Sequence, residues 1–168
     1  MGKEVNLSIL LKKGRLYEFL LYNTYYGFFG IISAGVILFS SILLITGIGE
    51  KGVIQKILLV FFILIFLAII PLAIYLDAVK QLKLSPIYNK PLLYRISNEG
   101  INVNHGDHLL SNNWGEVNKA VELHNSIILY SYNFGAFILP KLDIGEDYDL
   151  LKAIIVKNMS KRKCKFKW

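Results

Sequence analysis

Two kinds of hydrophobic pattern divide this chain. From Phe19 to Gly49 no residue is charged. After Glu50, Lys51 and Lys56 a second uncharged run of twenty residues extends from Ile57 to Leu76. At 1.5 Å per residue that run spans about 30 Å, the thickness of a bilayer's hydrocarbon core. The pattern predicts a transmembrane helical hairpin over residues 26–76, with spans at Tyr26–Ile48 and Val53–Leu76. Gly47, Gly49 and Gly52 surround Glu50 and Lys51 in the turn. Lys56 lies near enough to the start of its span to snorkel to the headgroups. Pro71 predicts a kink in the last turns. Gly30 and Ala34 are four apart, a spacing that admits a close helix neighbour. That neighbour is either the chain's own second span, the favoured reading, or a second copy.

Outside the hairpin the period falls to two. In residues 2–11, Val5, Leu7, Ile9 and Leu11 alternate with Glu4, Asn6 and Ser8, the pattern of a half-buried strand. A lone short strand is unstable. The other strand patterns all lie beyond residue 90, so this strand is expected to return to a C-terminal sheet. Between strand and hairpin, Lys12, Lys13 and Arg15 precede a stretch rich in Tyr, Phe and Leu. Such aromatic residues favour the membrane interface, so residues 1–25 read as a strand followed by an interfacial helix. Residues 77–91 read as a polar connector with Pro86 and Pro91.

Beyond it, short strands are predicted at Leu92–Ser97, Ile101–Asn104, His108–Ser111, Val117–Leu123, Ser126–Tyr132 and Phe134–Leu139. The turn signals between them, such as Ser97-Asn98-Glu99-Gly100 and His124-Asn125, recur at short intervals. That spacing predicts a small antiparallel sheet or barrel. A helix over Glu146–Asn158 closes the pattern. Its acids gather at the start and Lys152 and Lys157 towards the end, matching the helix dipole, with Tyr148, Leu150, Leu151, Ile154 and Ile155 on one apolar face. The fold class expected is a membrane α-helical hairpin plus an α+β soluble domain at residues 92–160, followed by a tail at 161–168.

Composition adds to this outline. The chain has 168 residues, is 54% hydrophobic and only 18% charged, which suits a small membrane protein. A cleaved signal peptide fits poorly, because the apolar run starts late, is long and is followed by a second. A soluble domain of this length could hardly bury two such runs on all sides. Basic residues flank the hairpin on its outer ends: Lys3, Lys12, Lys13 and Arg15 before it, and Lys80, Lys83, Lys90 and Arg95 after it. Only Lys51 and Lys56 lie at its turn. Positive residues stay inside, so both termini are expected in the cytoplasm.

The net charge of +7 is concentrated, for residues 152–168 carry seven basic side chains and no acidic one. In the tail, Lys161, Arg162, Lys163, Lys165 and Lys167 are interleaved with Phe166 and Trp168. Near an anionic leaflet each basic residue contributes about 1 kcal/mol, and the aromatics can enter the interface. These seven residues are the candidate membrane- and lipid-binding site, with a solvated tail as the plain alternative. Nucleic acid is not expected as a partner.

Catalytic signals are weak. No ionisable group lies in mid-span, against a proton or ion pathway built by one chain. No phosphate loop or nucleophile motif is present. His105-Gly106-Asp107-His108 has metal-ligand residue types, but Gly and Asp account for a turn there without a metal. Cys164 is the only cysteine. It excludes an internal disulfide and a Cys-based zinc site. Trp114 reads as a core anchor whose indole N–H needs an acceptor. No enzyme activity, cofactor or metal is expected.

Several short runs carry a family resemblance. ISNEGINV (Ile96–Val103), Trp114 with Val117, Val121 and Glu122, ILYSY (Ile128–Tyr132) and FILPK (Phe137–Lys141) resemble the C-terminal domain of the bacterial YcxB-like proteins. The opening strand with Tyr17-Glu18-Phe19 is similar to that family's start. The resemblance implies a two-span hairpin, a pleckstrin-homology-like domain and a bacterial cytoplasmic membrane, and it implies no activity. The leading function expected is a membrane-anchored interaction module. Its partners are the bilayer, anionic lipid headgroups, and a membrane protein or a second copy. By analogy of size and charge, the alternatives are immunity against a membrane-active bacteriocin and an accessory role in a transporter.

Overall fold

A computed structural model describes residues 4–46, 52–85, 90–105 and 108–166. The chain forms two compact units. One joins Met1–Leu16 to Leu82–Trp168, and the other is Tyr17–Gln81.

In the first unit the N-terminal strand finds its partner far along the chain. Strand β1 (Glu4–Ile9) pairs antiparallel with β2 (Leu92–Ser97), Leu7 opposite Tyr94. Strands β3 (Gly100–His105) and β4 (His108–Asn113) complete a four-stranded sheet in the order β1-β2-β3-β4. A 3-10 turn, Trp114–Glu116, then redirects the chain. Its entry is held by the Glu116 carboxylate, which accepts the Asn113 N–H at 3.1 Å. Trp114 is buried, and its indole N–H donates to the Ser97 carbonyl at 2.8 Å, so the core reading of this residue holds.

The second sheet contains β5 (Val117–Glu122), β6 (Ser126–Ser131), β7 (Gly135–Pro140) and a short β8 (Cys164–Lys165), in the order β7-β6-β5-β8. After β7 come a single helical turn, α5 (Lys141–Ile144), and the helix α6 (Tyr148–Asn158). One apolar core joins both sheets to α6: Val5, Leu7, Ile9, Ile96 and Ile101 from the first, Val117, Ile127, Leu129 and Leu139 from the second, and Leu151, Ile154 and Ile155 from the helix. Tyr94 and Phe137 meet edge to face across it, ring centroids 6.3 Å apart.

The barrel half of the sheet-or-barrel expectation is corrected. Among the described residues no closed barrel forms: the strands make two separate sheets, and β4 and β5, on either side of the turn at Trp114, belong to different ones. The antiparallel expectation is also incomplete, because β8 runs parallel to β5.

The second unit is the hairpin. Helix α1 (Lys13–Tyr25), which begins in the first unit, is followed after Tyr26 and Gly27 by α2 (Phe28–Thr46). The return runs through α3 (Val53–Leu64), a π-helical segment Ile65–Ile69 and α4 (Ile70–Leu84). Phe28–Thr46 and Val53–Leu84 are long and apolar enough to cross a membrane, and both are largely exposed. The turn expected between them, at Gly47–Gly52, lies outside the described residues apart from Gly52.

The return helix has 32 residues, about 48 Å at 1.5 Å each. It is therefore longer than a hydrocarbon core is thick, and Asp77, Lys80 and Lys83 lie in its last turns. Residues 77–84, expected in the polar connector, are helical because no breaker interrupts them before Pro86.

The favoured packing of the Gly30 and Ala34 pair against the chain's own second span is not made at Ala34. Ala34 is exposed, and the buried residues of α2 are Ser33 and Ser40. Gly30 has a different task. A Cβ there would collide with the Tyr25 carbonyl, so glycine is what lets α2 start so close behind α1.

Opposite this joint lies the interruption that Pro71 imposes. The Ile70 N–H bonds Ile65 O, five residues back. The next donor in that register falls on Pro71, which has no N–H. Phe66 O receives the Tyr25 hydroxyl instead, at 2.7 Å. Phe29 and Tyr17 pack on the same partner helix, against Phe66 and Tyr75, with centroids 6.0 and 5.6 Å apart. Tyr25→Phe keeps the ring and removes the donor. The expected cost is about 1–2 kcal/mol of hairpin stability, read as earlier loss of helix on titrating micellar protein with SDS. An unchanged transition would show that the bond contributes nothing.

Candidate functional site: the basic C-terminal segment and its seat

The candidate residues 161–168 fall into two groups in the fold. Lys161, Arg162 and Lys163 form an exposed 3-10 turn, closed by the Lys163 N–H on Ser160 O at 2.9 Å. From there the segment enters β8 and pairs with β5, Ala120 opposite Cys164 and Val121 opposite Lys165. Lys165 is exposed, whereas Cys164 and Phe166 are buried in the core. Phe166, read from sequence as a membrane-facing ring, is only 7% exposed and sits inside the domain. Lys167 and Trp168 lie outside the described residues.

The alternation Lys163-Cys164-Lys165-Phe166 is itself a period-two pattern. It was a signal for a strand, masked by the density of positive charge around it.

The seat under Phe166 is built from residues that sequence reasoning did not bring together. Glu122, at the end of β5, has a side chain only 6% exposed. Its carboxylate accepts the Lys141 ammonium at 2.7 Å and lies 4.0 Å from that of Lys152. The Lys152 Nζ also stands over the Phe166 ring, 5.4 Å from its centroid, and 6.0 Å from that of Tyr148. A strand end, a helical turn and a helix therefore converge on one carboxylate, and the C-terminal segment closes over them. Only the spacing of Tyr148 and Lys152, one turn apart on α6, was legible beforehand.

Burial pushes the Tyr148 phenol up to about 12, with its hydrogen bond to Glu122 and the charges of Glu122 and Asp149 adding to the shift. The folded protein therefore holds this proton more tightly than an unfolded chain, where the phenol titrates near 10.0. Its contribution to stability is fully present below pH 10 and is lost as pH rises towards 12. A melting temperature that falls through this window in the native protein should fall less in Tyr148→Phe. Parallel curves would remove Tyr148 from the account.

Burial also raises the Cys164 thiol above its usual range. As the only cysteine, it reports on the segment. It is expected to resist alkylation at pH 8 while β8 is seated and to react when denaturant releases it. Ready alkylation of the folded protein would show an unseated segment.

Among the described residues no three His, Cys, Asp or Glu side chains gather in a group that could hold a metal ion. The His105–His108 turn has its middle residues, Gly106 and Asp107, outside the description. A shallow concavity of about 590 Å³ lies over the first sheet. It is lined by Asn6, Arg95, Asn102 and Ser111, which stand opposite one another across the four strands. Arg95 is engaged there, its guanidinium on the Glu4 carboxylate at 2.8 Å.

Set against known proteins, the chain matches no family model and no curated protein.

Proposed function

We propose that this protein is a non-enzymatic, membrane-anchored interaction module, with a pleckstrin-homology-like domain at the cytoplasmic face of a bacterial membrane. The observation that carries this reading is the pairing of β1 with β2 around the whole hairpin. Residues 4–9 and 92–97 share one sheet, so they lie on one side of any bilayer, and the chain between them must cross it an even number of times. The two apolar helices supply two crossings. The domain is thus tethered through both ends of the hairpin, and the basic residues flanking those ends favour a cytoplasmic side for both termini.

Four strands, then three, then the helix α6 fit the pleckstrin-homology-like outline. The resemblance to the YcxB-like family supports the same arrangement, with the hairpin inserted after the first strand.

In this reading the ligand surface is the exposed basic run Lys161, Arg162, Lys163 and Lys165, set on the folded edge of the second sheet. At about 1 kcal/mol for each basic residue near an anionic leaflet, these four would favour a negatively charged headgroup surface by several kcal/mol. Phe166 adds nothing to that sum while it remains in the core.

The test uses the full chain in nanodiscs of zwitterionic or partly anionic lipid, with lysine acylation read by mass spectrometry. Lys161, Lys163 and Lys165 are expected to be protected severalfold in anionic discs. The protection should vanish in about 1 M salt, where the Debye length is about 3 Å. Equal labelling in both lipids would sink the lipid reading and leave protein partners as the object of the module.

A further inference from the structure

We infer that the outer edge of β4 is a pairing surface for a second copy of this chain, the two β4 strands running antiparallel about a two-fold axis centred on Leu110. The contact is between proteins and goes beyond the lipid surface proposed above. Only its strength rests on the membrane anchoring.

Strand β4 ends the first sheet, and among the described residues it pairs with β3 alone. An open strand edge is a template for another strand, and proteins guard such edges with charge, proline, shortness or a covering element. The other sheet ends are guarded in this way, since α5 packs against β1 and β7 and β8 is two residues long. Strand β4 has six residues, HLLSNN, with no Lys, Arg, Asp, Glu or Pro among them.

Leu110 shows what the edge lacks. Leu7, Tyr94, Val103 and Leu110 stand opposite one another across the four strands. The first three are buried in the core, whereas Leu110, at the end of the row, is 38% exposed. A strand added beyond β4 would cover it.

The register follows from the hairpin. Only two residues separate His105 from its partner His108. The closing pair of a two-residue hairpin exchanges both main-chain hydrogen bonds, and such pairs alternate along the ladder. Leu110 and Asn112 therefore bond back to β3, and Leu109 and Ser111 present their N–H and C=O groups outward. A symmetric pairing centred on Leu110 sets Leu109 of each copy opposite Ser111 of the other. It forms four main-chain hydrogen bonds and brings Leu110 against Leu110 at the axis, a self-complementary contact. Centring on Leu109 would call on Asp107, beyond the strand. Centring on Ser111 would call on the Asn113 N–H, which is already bonded to Glu116.

Pairing of six residues buries far less than the roughly 800 Å² per partner of a stable soluble dimer. Two anchored copies share one face of one bilayer, and that confinement raises their effective concentration enough for a weak contact to hold.

The test uses full-length chains carrying Cys164→Ser, reconstituted in liposomes and mildly oxidised, each with one new cysteine: Leu110→Cys, Leu109→Cys or Leu142→Cys. At the axis the two Cα atoms of residue 110 would stand about 4.5 Å apart, within disulfide reach. Those of residue 109 would be about 8 Å apart, beyond it. Leu110→Cys is expected to give at least about fivefold more covalent dimer than Leu109→Cys or Leu142→Cys, although Leu109 and Leu142 are the more exposed. Flotation of the same liposomes scores anchoring by itself, so failure of the anchor and failure of the pairing are distinguishable.

Leu110→Lys and Leu110→Glu give a readout free of cysteine. Either alone sets like charges face to face and should cut co-purification of differently tagged copies about fivefold or more. Mixing the two should restore it. Trypsin resistance of residues 90–166 checks that each variant is folded. Equal dimer yields at the three cysteine positions in chains that float, or charged variants that associate as well alone as mixed, would overturn the proposal.

Discussion

A chain that begins after Leu11 is expected to lose the folded C-terminal domain, although the deleted residues lie some eighty positions from it in sequence. Strand β1 places Val5, Leu7 and Ile9 in the common core at 1%, 5% and 1% exposure. Complete burial of each such side chain contributes about 1.5–3 kcal/mol. The strand therefore supplies about 5–9 kcal/mol, before the loss of its ladder with β2. Small domains are stable by only about 5–15 kcal/mol in all.

The truncated protein should still insert, since both apolar runs remain. Its residues 90–166 should be degraded by trypsin in detergent at concentrations that leave the full chain intact. Leu7→Asp tests the same contact with the chain length unchanged, by burying a carboxylate in an apolar core. Native-like protease resistance in both variants would mean that the domain stands without its first strand.

The second large effect is expected at Glu122. Its carboxylate faces both Lys141 and Lys152, with the Tyr148 hydroxyl bonded to it as well. Removing one partner of a buried pair leaves the opposite charge uncompensated, at a cost of about 3–5 kcal/mol. The two lysine side chains are 28% and 20% exposed. Water can reach them, so Glu122→Ala should fall near the lower figure, about 3 kcal/mol.

Glu122→Ala should also loosen the C-terminal segment, because Lys152 is held between this carboxylate and the Phe166 ring. Cys164 alkylation and thermal unfolding measured on the same sample separate the two consequences. Faster alkylation with an unchanged melt would make Glu122 a local latch for β8. A lowered melt with alkylation still suppressed below it would make it a support for the second sheet alone.

These two sites show how the chain couples distant residues. The hairpin is an insertion within the domain, between its first strand and its second. The segment after α6 is a further strand on the second sheet. Both chain ends thus contribute to one core, Ile9 from the start and Phe166 from the finish.

The sequence by itself determined a good deal. Two long uncharged runs predicted the two long apolar helices, because in an apolar medium a helix lets every backbone group find its partner within the segment. Period-two alternation placed β1, turn signals at short spacing placed the strands from β2 to β7, and the instability of an isolated strand sent β1 back to the C-terminal sheet. Trp114 read as core, and the structure supplied the acceptor its N–H required. Each of these follows from local pattern or from a rule that holds whatever the neighbours are.

What the tertiary structure decided was partnership. Glu122, Lys141 and Lys152 are unremarkable on their own strand, turn and helix, and become a cluster only where those elements meet. Phe166 has the same ring in a bilayer and in a core, and the choice fell to a space that β5 and α6 leave open. Gly30 suggested a helix seam, yet its backbone position is set by the Tyr25 carbonyl. Pro71 announced a break, but which carbonyl it would strand, and that Tyr25 would satisfy it, depended on the register between two helices. Periodicity records which way a side chain faces on its own element. It carries no information about what stands opposite, and in this protein the segment with the most conspicuous charge was placed by the two side chains that carry none.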